Sequence, residues 1–326
     1  MLIDSFGRTI DYLRLAVTDK CNLRCRYCMP EEGIDFSKNE DLLSLSEIAR
    51  LAEVFGVLGI NKVRLTGGEP FMRKDILQVL EVLSFHFKNI NLTTNATLIQ
   101  PYMHQLKQYN ISSFNISIDS LHREKFFAIT KRDQFETVYN TIWELYNMGF
   151  RVKLNVVVMK GINETEIAEF CLLAKNHKVD VRFIEAMPFN AHDGNESQFL
   201  SLSEIEESII NTFPSLQKVD SPRKSSSIKY SIDGFVGNIG IIPAYSRSLC
   251  GMCNRIRLTP EGQLLTCLYA DQGINLRDLI RDGFTNEQLL TAIKGEVMQK
   301  AKDGFVAESN RVSDSSVFQS MTTIGG

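Results

Sequence analysis

The sequence has 326 residues, 44% of them apolar and 23% charged, with a formal net charge of −3. This is enough apolar chain for a full core in one large domain or two smaller ones. The slight negative charge excludes a general attraction to nucleic acid or anionic membrane, so a polyanionic ligand must be held by a local group of cations. No apolar run approaches the ~20 residues of a membrane helix, and Met1 to Asp11 lacks the basic start and apolar centre of a secretory signal. A cytoplasmic location is expected, with no membrane or nucleic-acid partner.

The first strand is expected at Leu13 to Val17, and Cys21, Cys25 and Cys28 follow it in a C-x3-C-x2-C spacing. Three thiolates from one loop do not close a tetrahedral zinc site, and no His lies near to complete one. A cubane of four irons on three cysteines keeps one iron open, where the amine and carboxylate of an amino acid can chelate. Such a cluster, reduced, can pass an electron into the sulfonium of S-adenosylmethionine and free a 5′-deoxyadenosyl radical, while the protein orients and shields the cofactor. A zinc knuckle completed from elsewhere is the alternative.

Ser44-x-x-Glu47 reads as a capping box opening a helix that runs to about Gly59. A strand at Lys62 to Thr66 then enters the turn of Gly67, Gly68, Glu69 and Pro70. Glycines there let the backbone approach a ligand and offer amide donors, and Glu69 can accept from an ammonium. Further strands are expected at Ile90 to Thr94, Phe114 to Ile118, Val152 to Val158 and Val181 to Glu185, with helices at Asp75 to Lys88, Gln134 to Asn147 and Glu164 to Lys175. This alternation predicts an α/β fold, a partial (βα)6 TIM-like barrel, open-sided, with ligands at the carboxyl ends of its strands. Those ends carry small polar groups beyond the needs of strand capping: Thr93, Thr94 and Asn95; Ser117 and Asp119; Lys153 and Asn155; then Glu185 and Met187. Cys171, alone in the apolar run Ile167 to Ala174, reads as a buried small hydrophobe.

After Glu185 the texture changes, and polar stretches at Pro188 to Ser197 and Asp220 to Ser227 read as loops around a smaller second region. The expected division is 1–187 and 188–326. Cys250, Cys253 and Cys267 form a second trio in that region, with no His after His192 and no second C-x2-C pair of the zinc-ribbon kind. A second cubane is expected, its open iron free to bind substrate. Arg255 and Arg257 follow Cys253, on one side of an extended segment. Arg14, Arg64 and Lys153 bring the cations to five, enough to offset a triphosphate charge of about −4. Arg forks suit phosphate oxygens and purine edges. Arg182 is a further candidate of this kind. From Lys302 onward the chain is polar and reads as a surface tail.

The segment from Arg14 to Pro30, with Cys21, Cys25, Tyr27 and Cys28, resembles the opening of the radical S-adenosylmethionine (radical SAM) superfamily, and within it the GTP 3′,8-cyclase family of molybdenum cofactor biosynthesis. The likeness runs from about Ile10 to Tyr269, and Gly325 and Gly326 match the family's terminal double glycine. It implies a lyase with two [4Fe-4S] clusters that cyclises GTP to (8S)-3′,8-cyclo-7,8-dihydroguanosine 5′-triphosphate. A flavodoxin or ferredoxin would donate electrons, and a cyclic pyranopterin monophosphate synthase would receive the product. By the same likeness Tyr27, Gly68, Ser117 and Met187 contact S-adenosylmethionine, and Arg14, Arg64, Thr93, Lys153, Arg255, Ile256 and Arg257 contact GTP. Gly325 and Gly326 form a tail that enters the active site, and the protein is a homodimer. No residue beyond the cluster ligands stands out as a general acid or base. One departure is Ala96, where the family usually has Gly; if that position needs a positive φ, the turn is strained. Two other readings remain: radical chemistry on a peptide, and a non-catalytic binding protein with zinc at both trios.

Overall fold

The computed structural model describes residues 1–29, 33–187, 198–220, 224–312 and 320–325. Strands β1 (Tyr12–Ala16), β2 (Lys62–Thr66), β3 (Ile90–Thr94), β4 (Ile111–Ser117), β5 (Val152–Val158) and β6 (Asp180–Glu185) lie side by side in chain order, all parallel. Helices α1 (Leu45–Val57), α2 (Ile76–His86), α3 (Met103–Leu106), α4 (Arg123–Thr130), α5 (Phe135–Asn147) and α6 (Ile167–Asn176) connect or follow them. This is the expected βα alternation. It adds two helices the sequence hides: α3 is one turn long, and α4 opens on Arg123, Glu124 and Lys125, which mask its apolar face. The capping box of α1 forms as read: the Glu47 N–H donates to Ser44 Oγ at 3.2 Å, and the Ser44 N–H donates to the Glu47 carboxylate at 2.7 Å.

The second half of the chain extends the same sheet. It contributes α7 (Leu202–Thr212), β7 (Gln217–Val219), β8 (Ile228–Ser231), β9 (Asn238–Ile242), β10 (Arg255–Leu258), β11 (Leu264–Leu265), α8 (Leu276–Arg281), α9 (Asn286–Met298), α10 (Gly304–Ser309) and α11 (Met321–Ile324). β9 joins β6 and β10 joins β1, both parallel, so the strand order is β11-β10-β1-β2-β3-β4-β5-β6-β9-β8-β7. The three outer strands β11, β8 and β7 run antiparallel to their neighbours. Arg281 of α8 pairs with Glu47 of α1 at 2.8 Å, so a C-terminal helix is tied to the first. Among the described residues no helix is long and apolar enough to cross a membrane.

Alternate residues of a strand face opposite sides, and here the two faces differ in kind. Leu13, Val63, Phe114, Leu154, Phe183 and Ile256 are at most 2% exposed and share one apolar core with the helices. Cys171 lies in that core as expected. The intervening positions include Arg14, Arg64, Asn115, Lys153, Arg182 and Arg257, and they face the inside of the sheet. Arg257 of β10 and Ile242 of β9, from opposite ends of the parallel run, line one cavity, so the sheet curls around it. Charged and amide side chains share that inner wall with Phe126, Val157, Ile184 and Ile242, and a cavity rather than a packed core lies between them.

Ala96 adopts φ 62° and is fully buried, so the turn after β3 does hold an L-residue in the left-handed region. That conformation costs roughly 1–2 kcal/mol. Glycine would relieve it, but would lose about 0.8 kcal/mol of methyl burial and about 0.4–1 kcal/mol through a freer unfolded chain. The terms nearly offset. Ala96→Gly is therefore expected to unfold within about 1 kcal/mol of the parent in urea, whereas the β-branched Ala96→Val should lose at least ~2 kcal/mol.

Candidate active site

Cys21, Cys25 and Cys28 sit on the loop that leaves β1 and open onto the cavity inside the curled sheet. Two neighbours fix the loop. The Gly68 N–H donates to Thr18 O and the Glu69 N–H to Lys20 O, both at 2.8 Å; from the other side the Arg24 N–H donates to Thr130 O at 2.9 Å and the Arg26 N–H to Ile129 O at 3.1 Å. The glycine pair is explained by this approach: a Cβ on Gly67 would lie 2.3 Å from Thr18 O, and one on Gly68 2.4 Å from Lys20 O. Gly68 lines the cavity, but its amide is spent on the cysteine loop. Glu69 departs from its sequence reading. It is fully buried, and its carboxylate accepts from the Phe71 N–H (3.1 Å), Thr94 Oγ1 (2.8 Å) and the Asn95 N–H (2.7 Å). These bonds join the β2 turn to the end of β3 and leave no oxygen for an ammonium.

Burial pushes the Cys21 thiol up to about 11 and the Cys28 thiol up to about 12. Without a metal these groups stay neutral; iron would take the place of their protons. Asn95 Nδ2 reaches Cys21 Sγ at 3.8 Å, and Tyr27 Oη donates to Asp119 Oδ2 at 2.8 Å. Burial raises Asp119 to about 6, although the Val157 N–H and Tyr27 both stabilise its charge.

The second trio opens onto the same cavity. Cys250 and Cys253 lie on the turn before β10, and Cys267 follows β11. Burial opposes ionisation of Cys253, but Lys300 and Arg255 outweigh it and bring the thiol down to about 6. Among the described residues no three His, Cys, Asp or Glu side chains converge on a single ion. Each trio supplies three thiols, the number that leaves one iron of a four-iron cluster open.

Arg14, Tyr27, Arg64, Thr93, Ser117 and Met187 line the cavity, as do Arg255 and Arg257. Ile256 does not: the strand's alternation turns its side chain into the apolar core. Lys153, second residue of β5, lies at the amino end of its strand. It lines an adjoining cavity with Lys62, Arg64, Arg151 and Arg182. Arg64 and Arg182 wall both spaces. The tail is not a surface strand. Ser320, Thr322 and Ile324 are buried, and Gly325 O accepts from Arg14 Nη2 and Arg257 Nη1, both at 3.0 Å. Ser320 Oγ donates to Cys28 O at 2.8 Å, which joins the tail to the first cysteine loop. Gly326 lies outside the described residues.

These cations are crowded. Burial lowers the pKa of Arg14, and the neighbouring Arg257 and Arg64 lower it further; Arg182 falls by burial and by Arg64. Burial takes Lys153 down to about 7, with Arg182 and Arg151 adding to the shift. Guanidinium does not give up its proton, so the repulsion persists until an anion enters. Among the described residues Arg182 Nε and Nη2, Asn115 Oδ1 and Asn155 Oδ1 are buried without a partner, and all three side chains line the main cavity. Sequence reading passed over Tyr12, whose hydroxyl accepts from Arg64 Nε. Burial alone would raise Tyr12, but Arg64, Arg14 and Lys62 bring it down to about 7. Its place two residues before Arg14 on the same strand face is the signal that could have found it.

A model of the radical SAM superfamily matches residues 15–174, and one described as Molybdenum Cofactor Synthesis C matches 179–306. The GTP 3′,8-cyclase of Thermodesulfovibrio yellowstonii is 39% identical over 89% of this chain and 91% of its own. The chain belongs to the GTP 3′,8-cyclase family. The mitochondrial GTP 3′,8-cyclase of Arabidopsis thaliana is 38% identical over 92% of this chain and 78% of its own. Molybdenum cofactor biosynthesis protein moc-5 of Caenorhabditis elegans is 42% identical over 91% of this chain, but this chain covers only 49% of it. The chain thus spans about half the length of that relative and of its mouse and human counterparts. Among solved structures, Streptococcus suis SuiB bound to S-adenosylmethionine superposes with a TM-score of 0.64 at 15% identity, over 90% of this chain and 68% of SuiB, which establishes the fold. Membership of the superfamily implies a [4Fe-4S] cluster and S-adenosylmethionine.

Proposed function

We propose that this chain cyclises GTP to (8S)-3′,8-cyclo-7,8-dihydroguanosine 5′-triphosphate, the first step of molybdenum cofactor biosynthesis. The observation that carries this reading is one cavity onto which two cysteine trios open, with Arg14, Arg64, Arg255 and Arg257 in its wall. Cys21, Cys25 and Cys28 would hold the superfamily's cluster, and Cys250, Cys253 and Cys267 a second one whose open iron meets the substrate. When bound, the first cluster and S-adenosylmethionine supply the electron and the 5′-deoxyadenosyl radical that takes the 3′ hydrogen of GTP.

The chain's own groups bind and orient. Tyr27, Gly68, Ser117 and Met187 border the S-adenosylmethionine end, and Arg255 and Arg257 border the purine end. Thr93 Oγ1 accepts from Arg64 Nη1 at 3.2 Å, which leaves its hydroxyl proton free for the substrate. The triphosphate suits the adjoining cavity, where Lys153, Lys62 and Arg182 lack a full complement of counter-charge; Asp180 is 3.7 Å from Lys153 and already serves Arg151 at 2.9 Å. A polyanion there would restore the charge of Lys153 and relieve the repulsion among the arginines. Gly325, with its carbonyl on Arg14 and Arg257, and Gly326 beyond it would help organise the site. The seven free cysteines suit a reducing compartment such as the cytoplasm, with a flavodoxin or ferredoxin as electron donor, a homodimeric state, and a cyclic pyranopterin monophosphate synthase as the next enzyme.

Anaerobic incubation of the iron-loaded protein with GTP, S-adenosylmethionine and reductant is expected to give 5′-deoxyadenosine and the cyclised nucleotide. If GTP stimulates no cofactor cleavage, the substrate assignment is wrong. About eight irons per chain fit two clusters; about two zincs would instead fit a non-catalytic protein. The peptide alternative has only the likeness to SuiB behind it, and at 15% identity that speaks for fold alone.

A further inference from the structure

Lys300 lies just beyond α9 and is 3% exposed. Its ammonium donates to Arg255 O at 3.1 Å and to Thr266 O. Those carbonyls belong to the two segments that carry Cys253 and Cys267. Among the described residues Lys300 pairs with no carboxylate. An ammonium buried against neutral carbonyls alone is costly, so the fold must supply an anion. The carbonyls it holds lie two residues after Cys253 and one before Cys267, so its charge sits beside the second trio. The first trio has mixed surroundings: Asp119 accepts from Tyr27 Oη at 2.8 Å and Glu69 from the Asn95 N–H at 2.7 Å, while Arg24 donates to Cys21 O at 2.7 Å.

We propose that Lys300 is the resident counter-ion of the second cysteine site, a positioning residue whose fixed charge retains that site's iron-sulfur cluster and raises its reduction potential. The proposal rests on the reading that Cys250, Cys253 and Cys267 hold a cluster. Reduction adds negative charge, so a nearby cation favours the reduced form.

The test is a redox titration of the fully loaded protein followed by electron paramagnetic resonance, in the parent, Lys300→Arg and Lys300→Gln. Glutamine keeps a donor for the two carbonyls but removes the charge. In Lys300→Gln the midpoint potential of the second cluster should fall or that cluster be lost, with the first unmoved; Lys300→Arg should stay near the parent. Equal potentials in all three proteins overturn the proposal. So does loss of the second cluster, or failure to fold, in Lys300→Arg as well as Lys300→Gln, because shape rather than charge would then be at stake. Should Lys300→Gln alone fail to fold, Lys300→Met, which lacks both the charge and the buried amide oxygen, takes its place in the titration and is read by the same outcomes. A parent protein that binds only about four irons overturns the second-cluster reading instead, independently of Lys300.

Discussion

Replacing Cys25 by serine is expected to abolish cofactor cleavage, with 5′-deoxyadenosine formation falling at least ~10³-fold while about half of the iron remains. Cys25 lies on the loop pinned by Thr130, Ile129 and Gly68, and nothing in the second trio can substitute for it. Cys253→Ser should fail differently. The first site keeps its three thiols, so some 5′-deoxyadenosine should still form, but on the proposed reading no cyclised nucleotide appears, because the second cluster would be lost from the substrate end of the cavity. Iron analysis with chromatography of both products under anaerobic conditions separates the two. If both variants lose all iron and both activities alike, the sites do not assemble independently and the division of roles is wrong.

Gly68→Ala is expected to be nearly as damaging without touching a ligand. Its Cβ would lie 2.4 Å from Lys20 O and 2.6 Å from Asp19 O, and these are main-chain atoms that no rotamer change can move. Overpacking of this kind costs about 1–3 kcal/mol. The strain also displaces the residue immediately before Cys21. Iron at the first site should therefore drop with the stability, and cofactor cleavage with it. Gly295→Ala is the control: Gly295 lies within α9 with nothing within 4 Å of the added carbon, and it should gain about 0.4–1 kcal/mol. Thermal unfolding and iron content of the two variants, measured side by side, decide the matter. A Gly68→Ala protein with a full first cluster would show that the loop has slack.

Much of this was legible because short stretches of Leu, Ile, Val and Phe, interleaved with polar residues at every second place, mark strands with one face in a core. β1, β2, β3, β5 and β6 fall within one residue of the sequence reading; only β4 begins earlier, at Ile111, because Ser112 and Ser113 look unlike a strand. Both cysteine trios are visible as spacings. What stayed hidden depends on tertiary neighbours. Nothing local says that β9 and β10 flank β6 and β1, since pairing is a matter of register. Glu69 has the look of a ligand group until the amides of Phe71 and Asn95 are seen to occupy it. Lys300 follows a helix like any solvated lysine, and only the burial of the Arg255 and Thr266 carbonyls gives it a place.

The alternation along the central strands has one more consequence. In β1, Leu13 and Leu15 pack in the apolar core while Tyr12 and Arg14 line the cavity; in β10, Ile256 and Leu258 do the first while Arg255 and Arg257 do the second. Every such strand is therefore two messages printed on alternate letters. Drift in one set repacks a core that accepts any apolar shape of similar volume, while the other set stays fixed by the ligand, so the scaffold and the reaction can diverge at separate rates within the same few residues.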